Sequence, residues 1–412
     1  MSSIEQRLAA AGLPPLPRTA WLEIDLAALR GNLAALRSLA GAGIRVHPVI
    51  KADAYGHGAL PVALALGAAG ADGFCVAAFD EAVALRAGGI RVPIRVLYPI
   101  PVALAGEAAR QRVTLSCGDP GLLAGLLDAA EAAGAANGAQ PLDVELEVET
   151  GLGRGGFAPE ALAAAAAAIT GAPGARLTGL WTHLQASEDP DRTRDQLARF
   201  ESATARLREA GLPVPRRHVA ASGGLFTGVE ALDGVRPGLA VYGIVPDELA
   251  GRTLTDEVKA AIAALRPVMS LHARPVRVAD LPAGHGISYG PTFTTTRPSR
   301  IATLPLGYGD GFARAFSNRA EALVRGVRAP LVGNVAMDAI MVDVTDVPGP
   351  PVTPEDEFVL MGAQGDQRIS VEDLARTRTT NTWEVVTQMS GRLPRVYHAA
   401  AGPVGLRTLT ER

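Results

Sequence analysis

The chain has 412 residues, 48% hydrophobic and 20% charged, with a formal net charge of −3. That length exceeds what a single hydrophobic core fills and implies two or three domains. A pI near 6.2 with scattered charge excludes the basic footprint of a nucleic-acid binder. The mean hydropathy of +0.17 comes from Ala-rich helical runs and not from a bilayer-length apolar stretch, so no membrane partner is expected.

The opening MSSIEQRLAAAGLPPLPR lacks the apolar segment of a secretory signal, so residues 1–17 read as the N-terminal tail of a cytoplasmic protein. From there the chain alternates strand-like runs with Ala/Leu-rich helical stretches. Strands are predicted to begin near Ile44, Gly73, Ile94, Arg112, Leu142, Ala175, Arg216 and Gly234. Between them lie helical stretches such as PVALALGAAG and PGLLAGLLDAAEAAG, the latter with Pro120 at its start. Eight such units across residues 18–257 predict an α/β barrel, TIM-like (β/α)8. Beyond, RPVRVADL, APLVGNVAMDAIMVDV and EFVLMG are short β-branched runs broken by Gly and Pro. Residues 258–412 therefore read as a mainly β C-terminal domain with a helix near 371–390.

In such a barrel, chemistry sits on the loops that follow the C-terminal ends of the strands. IRVHPVI runs directly into Lys51, LDVELEVET leads to Arg154, and RLTGLWT to His183. RRHVAAS ends at Ser222, before Gly223 and Gly224, and GVRPGLAVYG carries Arg236, Gly238 and Leu239. Each alone has a structural reading; together, at matching ends of different strands, they point to a site. Only Lys51 and Lys259 are lysines among 39 basic residues. A buried lysine can become a neutral amine and form a Schiff base, which arginine cannot. Lys259, in DEVKAAIAAL, reads as a solvated helix face. Ser222-Gly-Gly and the Arg236–Leu239 turn offer a hydroxyl and backbone N–H donors that suit a phosphate. A Schiff-base lysine with a phosphate cradle on late strands predicts pyridoxal 5′-phosphate (PLP) as cofactor.

Two motifs carry competing readings. LDVELEVET alternates Leu/Val with Asp143, Glu145, Glu147 and Glu149, which puts acids toward the lumen of a barrel or toward water on an edge strand. Lumenal acids would require arginine partners such as Arg154. Gly151, Gly153 and Gly156 match G-x-G-x-x-G, but in the fifth unit, where the next strand ends in His183 and not in the acid of a dinucleotide site. Two cysteines, Cys75 and Cys117, and histidines without ligand spacing give no basis for a metal site. Tyr289 in ISYGPTF and Tyr308 in LGYGDGF occupy Gly-flanked turns.

In order and approximate spacing, VIKADAYGHG, ETGLGRGGF, THL, VRPGLAVYG, ISYGPTF, LGYGDGF and VAMDAIMVDV resemble the motifs of alanine racemases, fold-type III PLP enzymes. The resemblance runs from Lys51 to about Tyr397. It implies that Lys51 forms the internal aldimine and is the base on one face of Cα, with Tyr289 of a second subunit the base on the other. It implies that Arg154 contacts the cofactor and the substrate carboxylate, which Met337 of the second subunit also holds. Tyr55, Ser222, Gly238, Leu239 and the position of Trp383 would hold the phosphate. His183 would lie beside the ring, His218 would support Arg236 at the pyridine nitrogen, Tyr308 would line the way in, and Asp338 lies in the Met337 motif. The implied assembly is a homodimer with composite active sites, acting on a small amino acid, with alanine favoured, and supplying D-alanine for peptidoglycan.

A racemase needs a proton removed from one face and delivered to the other, which two bases supply. A phenol of pKa about 10 must be lowered for this, and Arg154 and His183 are the expected source of that field. Four positions depart from the family pattern. Glu147 replaces a lysine that becomes carbamylated, so its carboxylate is expected to orient Arg154 directly. Ala221 replaces an Asn, Ala336 a Cys, and Trp383 a Tyr that shapes the substrate pocket. Other readings are a racemase of broader specificity (Ser, Lys, Arg), a decarboxylase on the same fold, or a non-catalytic PLP carrier.

Overall fold

A computed structural model describes residues 3–137 and 140–410. It divides into two units, one of Arg30–Ala54 with Ala59–Leu265, the other of Met1–Leu29, Tyr55–Gly58 and Arg266–Arg412.

The first unit is the expected barrel. Its strands are Arg45–Val46, Phe74–Val76, Ile94–Val96, Val113–Cys117, Leu142–Glu147, Ala175–Trp181, Arg216–Ala221 and Gly234–Arg236. They pair in parallel in one eight-stranded sheet, the first strand beside the last. A parallel bridge from Val49 to Cys75 closes the ring, with Ile50 N–H donating to Cys75 O at 2.9 Å and Cys75 N–H to Pro48 O at 3.0 Å. Helices such as Ala59–Ala68, Pro120–Asn137 and Pro190–Glu209 fill the connections. Strand Leu142–Glu147 has a partner on both sides, which excludes the edge reading of its acids. Leu142, Val144 and Leu146 are fully buried on one face, and Glu145, on the other, is 3% exposed.

The second unit carries the β structure, but its boundaries differ from those expected. Strand Ala20–Asp25 pairs antiparallel with Met269–Ala273 and parallel with Arg395–Ala399. It sits inside a sheet of eight strands that also includes Glu321–Val324, Val327–Pro330, Phe358–Gln364, Gln367–Ile369 and Gly402–Arg407. The N-terminal residues expected in the barrel domain (18–29) thus belong with the β unit, and helix Asp256–Ala264 stays with the barrel. A second sheet holds Arg277–Leu281, Ser299–Leu304 and Ile340–Asp343.

Nor do residues 1–17 form a plain tail. Ile4–Ala10 is a helix whose cap, Ser3, accepts from Gln6 N–H at 3.3 Å while the Gln6 side chain accepts from Ser3 N–H at 3.0 Å. This reciprocal cap starts a helix that buries Ile4 and Leu8 against Trp21 and Val396. The helix expected near 371–390 is two, Val371–Arg378 and Thr382–Thr387, interrupted at Thr379 with φ +61°. Lys259 lies exposed on its helix, 2.9 Å from Asp256. Among the described residues no helix is long and apolar enough to cross a membrane.

Candidate active site

The first barrel strand delivers Lys51 into an unusual backbone. Ala52, Asp53, Ala54 and Tyr55 have φ of 52°, 55°, 55° and 50°, one turn of left-handed helix made without glycine. Such a conformation costs roughly 1–2 kcal/mol per L-residue, so the surroundings must hold it. Ala54 N–H donates to Ile50 O at 2.9 Å, and Asp53 Oδ1 accepts from Ala59 N–H at 2.8 Å. Burial, and then the nearby Arg154 cation, push the Lys51 amine below its ordinary value. The aromatic face of Tyr98 lies 5.9 Å from Lys51 Nζ and 5.3 Å from the Arg154 guanidinium carbon. Sequence reasoning passed over Tyr98, although it follows the third strand just as Lys51 follows the first.

Deeper in the barrel a chain of charges crosses the lumen. Arg95 donates to Glu145 at 2.6 Å, and the other oxygen of Glu145 lies 3.0 Å from His218 Nε2. His218 Nδ1 meets Arg236 Nη1. Because a guanidinium only donates, Nδ1 accepts and the imidazole proton sits on Nε2, donated to Glu145. Arg236 gives further hydrogen bonds to the carbonyls of His218 (3.0 Å), Thr182 (2.8 Å) and Val219 (3.2 Å), and lies 5.0 Å from the Trp181 ring. Its Nε–H is used in none of these. Burial pushes Arg236 down to about 10, so it remains a cation at neutral pH. The lumenal acids thus have arginine partners, Arg95 for Glu145 and, further along the same strand, Arg154 for Glu147.

His183 corrects one expectation. Burial, then Arg236, Arg154 and Lys51, push it down to about 3. The imidazole is neutral and supplies no positive field for a phenol, so of the two expected sources only Arg154 carries a charge. Burial followed by arginine repulsion likewise holds His47 and His218 at about 3. Against an unfolded value near 6.5, the folded chain therefore binds fewer protons between pH 6.5 and 3. This stabilisation is complete above pH 6.5 and falls on acidification by up to about 1.4 kcal/mol per pH unit for each histidine. Thermal melts are expected to show a markedly lower midpoint at pH 5 than at pH 7.5; an unchanged or higher midpoint refutes the assignment.

Glu147 and Arg154 form an ion pair at 3.8 Å, the geometry expected if the carboxylate orients the guanidinium. Burial pushes the Glu147 carboxyl up, against the pull of Arg154 and Arg236. In the neighbouring glycine loop, Gly151 N–H and Gly153 N–H both donate to the Glu149 carboxylate, and the next helix begins only at Leu162. Those donors are committed and no helix start follows them, which argues against dinucleotide binding.

Ser222 Oγ accepts from Gly238 N–H at 3.0 Å and Ala240 N–H at 3.3 Å. This clasp draws together two turns, Ser222–Phe226 and Leu239–Tyr242, whose first N–H groups have no acceptor within their own turns. A Cβ at Gly223 would meet the Ser187 hydroxyl, so a larger residue there requires that side chain to turn away. A desolvated lysine amine, the first N–H groups of two turns drawn together at Ser222 and a buried arginine whose Nε–H takes no part in the bonds given above fit a PLP phosphate and pyridine ring.

Nine expected site residues thus belong to the barrel unit: Lys51, Glu147, Arg154, His183, Ser222, His218, Arg236, Gly238 and Leu239. The other six belong to the β unit. Tyr55 is buried there, and Trp383 lies in helix Thr382–Thr387. Tyr289, Tyr308 and Met337 are joined by backbone contacts. Tyr308 N–H donates to Ala336 O and Gly309 N–H to Met337 O, both at 3.0 Å, while Asn334 Nδ2 donates to Tyr289 O at 2.8 Å. Asp338 pairs with Arg392 at 2.5 Å. Tyr289 is 81% exposed, Met337 51% and Tyr308 45%, a marked apolar display for one surface.

Two family models match the chain, the alanine racemase N-terminal domain over residues 24–246 and the alanine racemase C-terminal domain over residues 268–397. The chain belongs to the alanine racemase family. A protein from Desulfosudis oleivorans named alanine racemase is 38% identical over 391 residues, spanning 92% of this chain and 96% of its own. The solved alanine racemase of Streptomyces coelicolor A3(2) is 38% identical at a TM-score of 0.82, covering 92% of this chain and 98% of that one. A histidine racemase from Leuconostoc mesenteroides also superposes, at a TM-score of 0.82 and 29% identity over 93% and 99% of the two chains. The family's two domain models leave residues 1–23 outside, although in this fold Ala20–Asp25 is an internal strand of the β sheet.

Proposed function

We propose that the chain is a PLP-dependent racemase that interconverts L- and D-alanine through two bases. The observation that carries this reading is the pairing, at one barrel mouth, of a desolvated Lys51 amine with a phosphate clasp at Ser222 and a buried Arg236. When bound, PLP would supply an electron sink that acidifies the Cα–H of the amino acid. Lys51 would anchor the cofactor and then exchange a proton at Cα on one face. Its depressed basicity favours the neutral amine that such work needs. Arg236 keeps its own proton and would donate Nε–H to the pyridine nitrogen, leaving that nitrogen uncharged. This weakens the sink and restrains reactions that need it fully developed, such as transamination or decarboxylation. Arg154, held by Glu147, would bind the substrate carboxylate and the ring oxygen.

The exposed Tyr289 phenol would serve the opposite face of Cα in the site of a second copy, with Met337 beside the substrate. A homodimer with composite sites follows from this reading, as does D-alanine supply to peptidoglycan in the cytoplasm. Trp383, bulkier than the tyrosine expected there, would reshape the pocket, and the histidine racemase neighbour supports a second reading, a racemase of a different or broader specificity. An assay of the purified enzyme over single amino acids separates the two. Alanine is expected to exceed Ser, Arg, Lys and His in kcat/KM by about tenfold or more, the discrimination a methyl-sized pocket achieves. A higher kcat/KM for any of the four would overturn the preference.

A further inference from the structure

Lys51 is aimed by a backbone that alanine, aspartate and tyrosine do not adopt unaided, and its first residue is tied to a distant carboxylate. Glu81 lies in the first turn of helix Phe79–Ala87. Its Oε1 accepts from Ala52 N–H at 2.6 Å, 29 residues away in the chain. Its Oε2 accepts from Ala77 N–H at 2.8 Å and Ala78 N–H at 3.0 Å. One carboxylate thus ties the left-handed turn after Lys51 to the segment that follows the second barrel strand.

We infer that Glu81 is the positioning residue of Lys51: its hydrogen bond to Ala52 holds the reversed turn that directs the lysine amine toward the cofactor. An ordinary helix cap needs only the bond to Ala78; the bond to Ala52 does nothing for that helix. The interaction falls at the residue where the chain first turns left-handed, φ +52°, so its loss releases the conformation next to the reactive side chain. Glu81 also stands as an anion near the Lys51 amine, opposing the effect of Arg154. The inference rests on Lys51 being the residue that carries PLP.

The test follows covalent attachment of PLP to the full-length chain after its cofactor has been stripped. Attachment is quenched with borohydride at intervals and read by mass spectrometry of the Lys51 peptide. E81Q replaces an acceptor by an amide that faces N–H donors, and is expected to slow attachment about tenfold at saturating PLP. E81D keeps an acceptor for Ala78 but falls short of Ala52, and is expected to slow it similarly while the helix cap survives. Ala52→Gly in the E81Q background is expected to recover about threefold or more, because glycine reaches φ +52° without a Cβ penalty. A purely structural Glu81 gives no such rescue. Attachment at the wild-type rate in E81Q or E81D, or no gain from A52G, overturns the inference. A wild-type chain that never links PLP to Lys51 sinks the cofactor reading itself.

Discussion

Replacing Lys51 with alanine is expected to leave a folded protein that racemises alanine at least about 10⁴-fold more slowly, because anchor and base are lost together. Stability is not the cause. Among the described residues the Lys51 amine has no ion-pair partner, and burial and the Arg154 cation both disfavour its charged form. Truncation removes a desolvated charge, so the thermal midpoint should hold or rise. Lys51→Arg sharpens the point: it keeps a cation and much of the volume but cannot give up its proton, and it should be as inactive as alanine. The measurement is optical rotation of L-alanine over time, beside a melting curve. Activity within tenfold of wild type in either variant would remove Lys51 from the chemistry.

The second large effect belongs to Tyr289→Phe. The side chain is exposed in a single chain, so deleting a hydroxyl there changes stability by little, within about 0.5 kcal/mol. Yet a positioned proton carrier contributes about 10²–10⁴-fold, and racemisation should fall by that range while PLP still attaches to Lys51. A mixing experiment makes the claim sharper. Lys51→Ala and Tyr289→Phe chains, each inactive alone, are unfolded together and refolded. If every site takes its amine from one chain and its phenol from the other, half of randomly assembled dimers hold one intact site, restoring about a quarter of full activity. A mixture as inactive as its components would show that both groups act within one chain, or that Tyr289 does not act at all.

The barrel was legible because parallel strands buried on both faces read as short apolar runs between turn signals. The predicted starts at Ile94, Leu142, Ala175, Arg216 and Gly234 coincide with the observed ones, and the others fall one residue away. Strand-end logic then singled out Lys51, Arg154, His183, Ser222 and Arg236, all of which lie in the barrel unit, since a polar group after an apolar strand is conspicuous in sequence. It did not find Arg95, whose role appears only when Glu145 is seen two strands away. Nor did it find Glu81, an acid at a helix start with a local explanation ready to hand. The charge state of His183 is invisible too, because burial is a property of the fold. The place of Ala20–Asp25 was hidden for another reason: its partners lie some 250 and 370 residues along the chain, and no local pattern names them. The N-terminal helix, by contrast, was written in Ser3, Gln6, Ile4 and Leu8.

That N-terminal strand has a consequence for how the protein is made. Ala20–Asp25 is synthesised well before either of its partners, Met269–Ala273 on one flank and Arg395–Ala399 on the other. During synthesis its hydrogen-bonding edges stay open for most of translation, exposing the aggregation hazard of an unpaired edge. The barrel, threaded between the early and late pieces, has all its own strands by residue 236 and can close while the β sheet still waits for its last member. A nascent chain stalled before residue 395 would hold a finished barrel beside a half-zipped sheet.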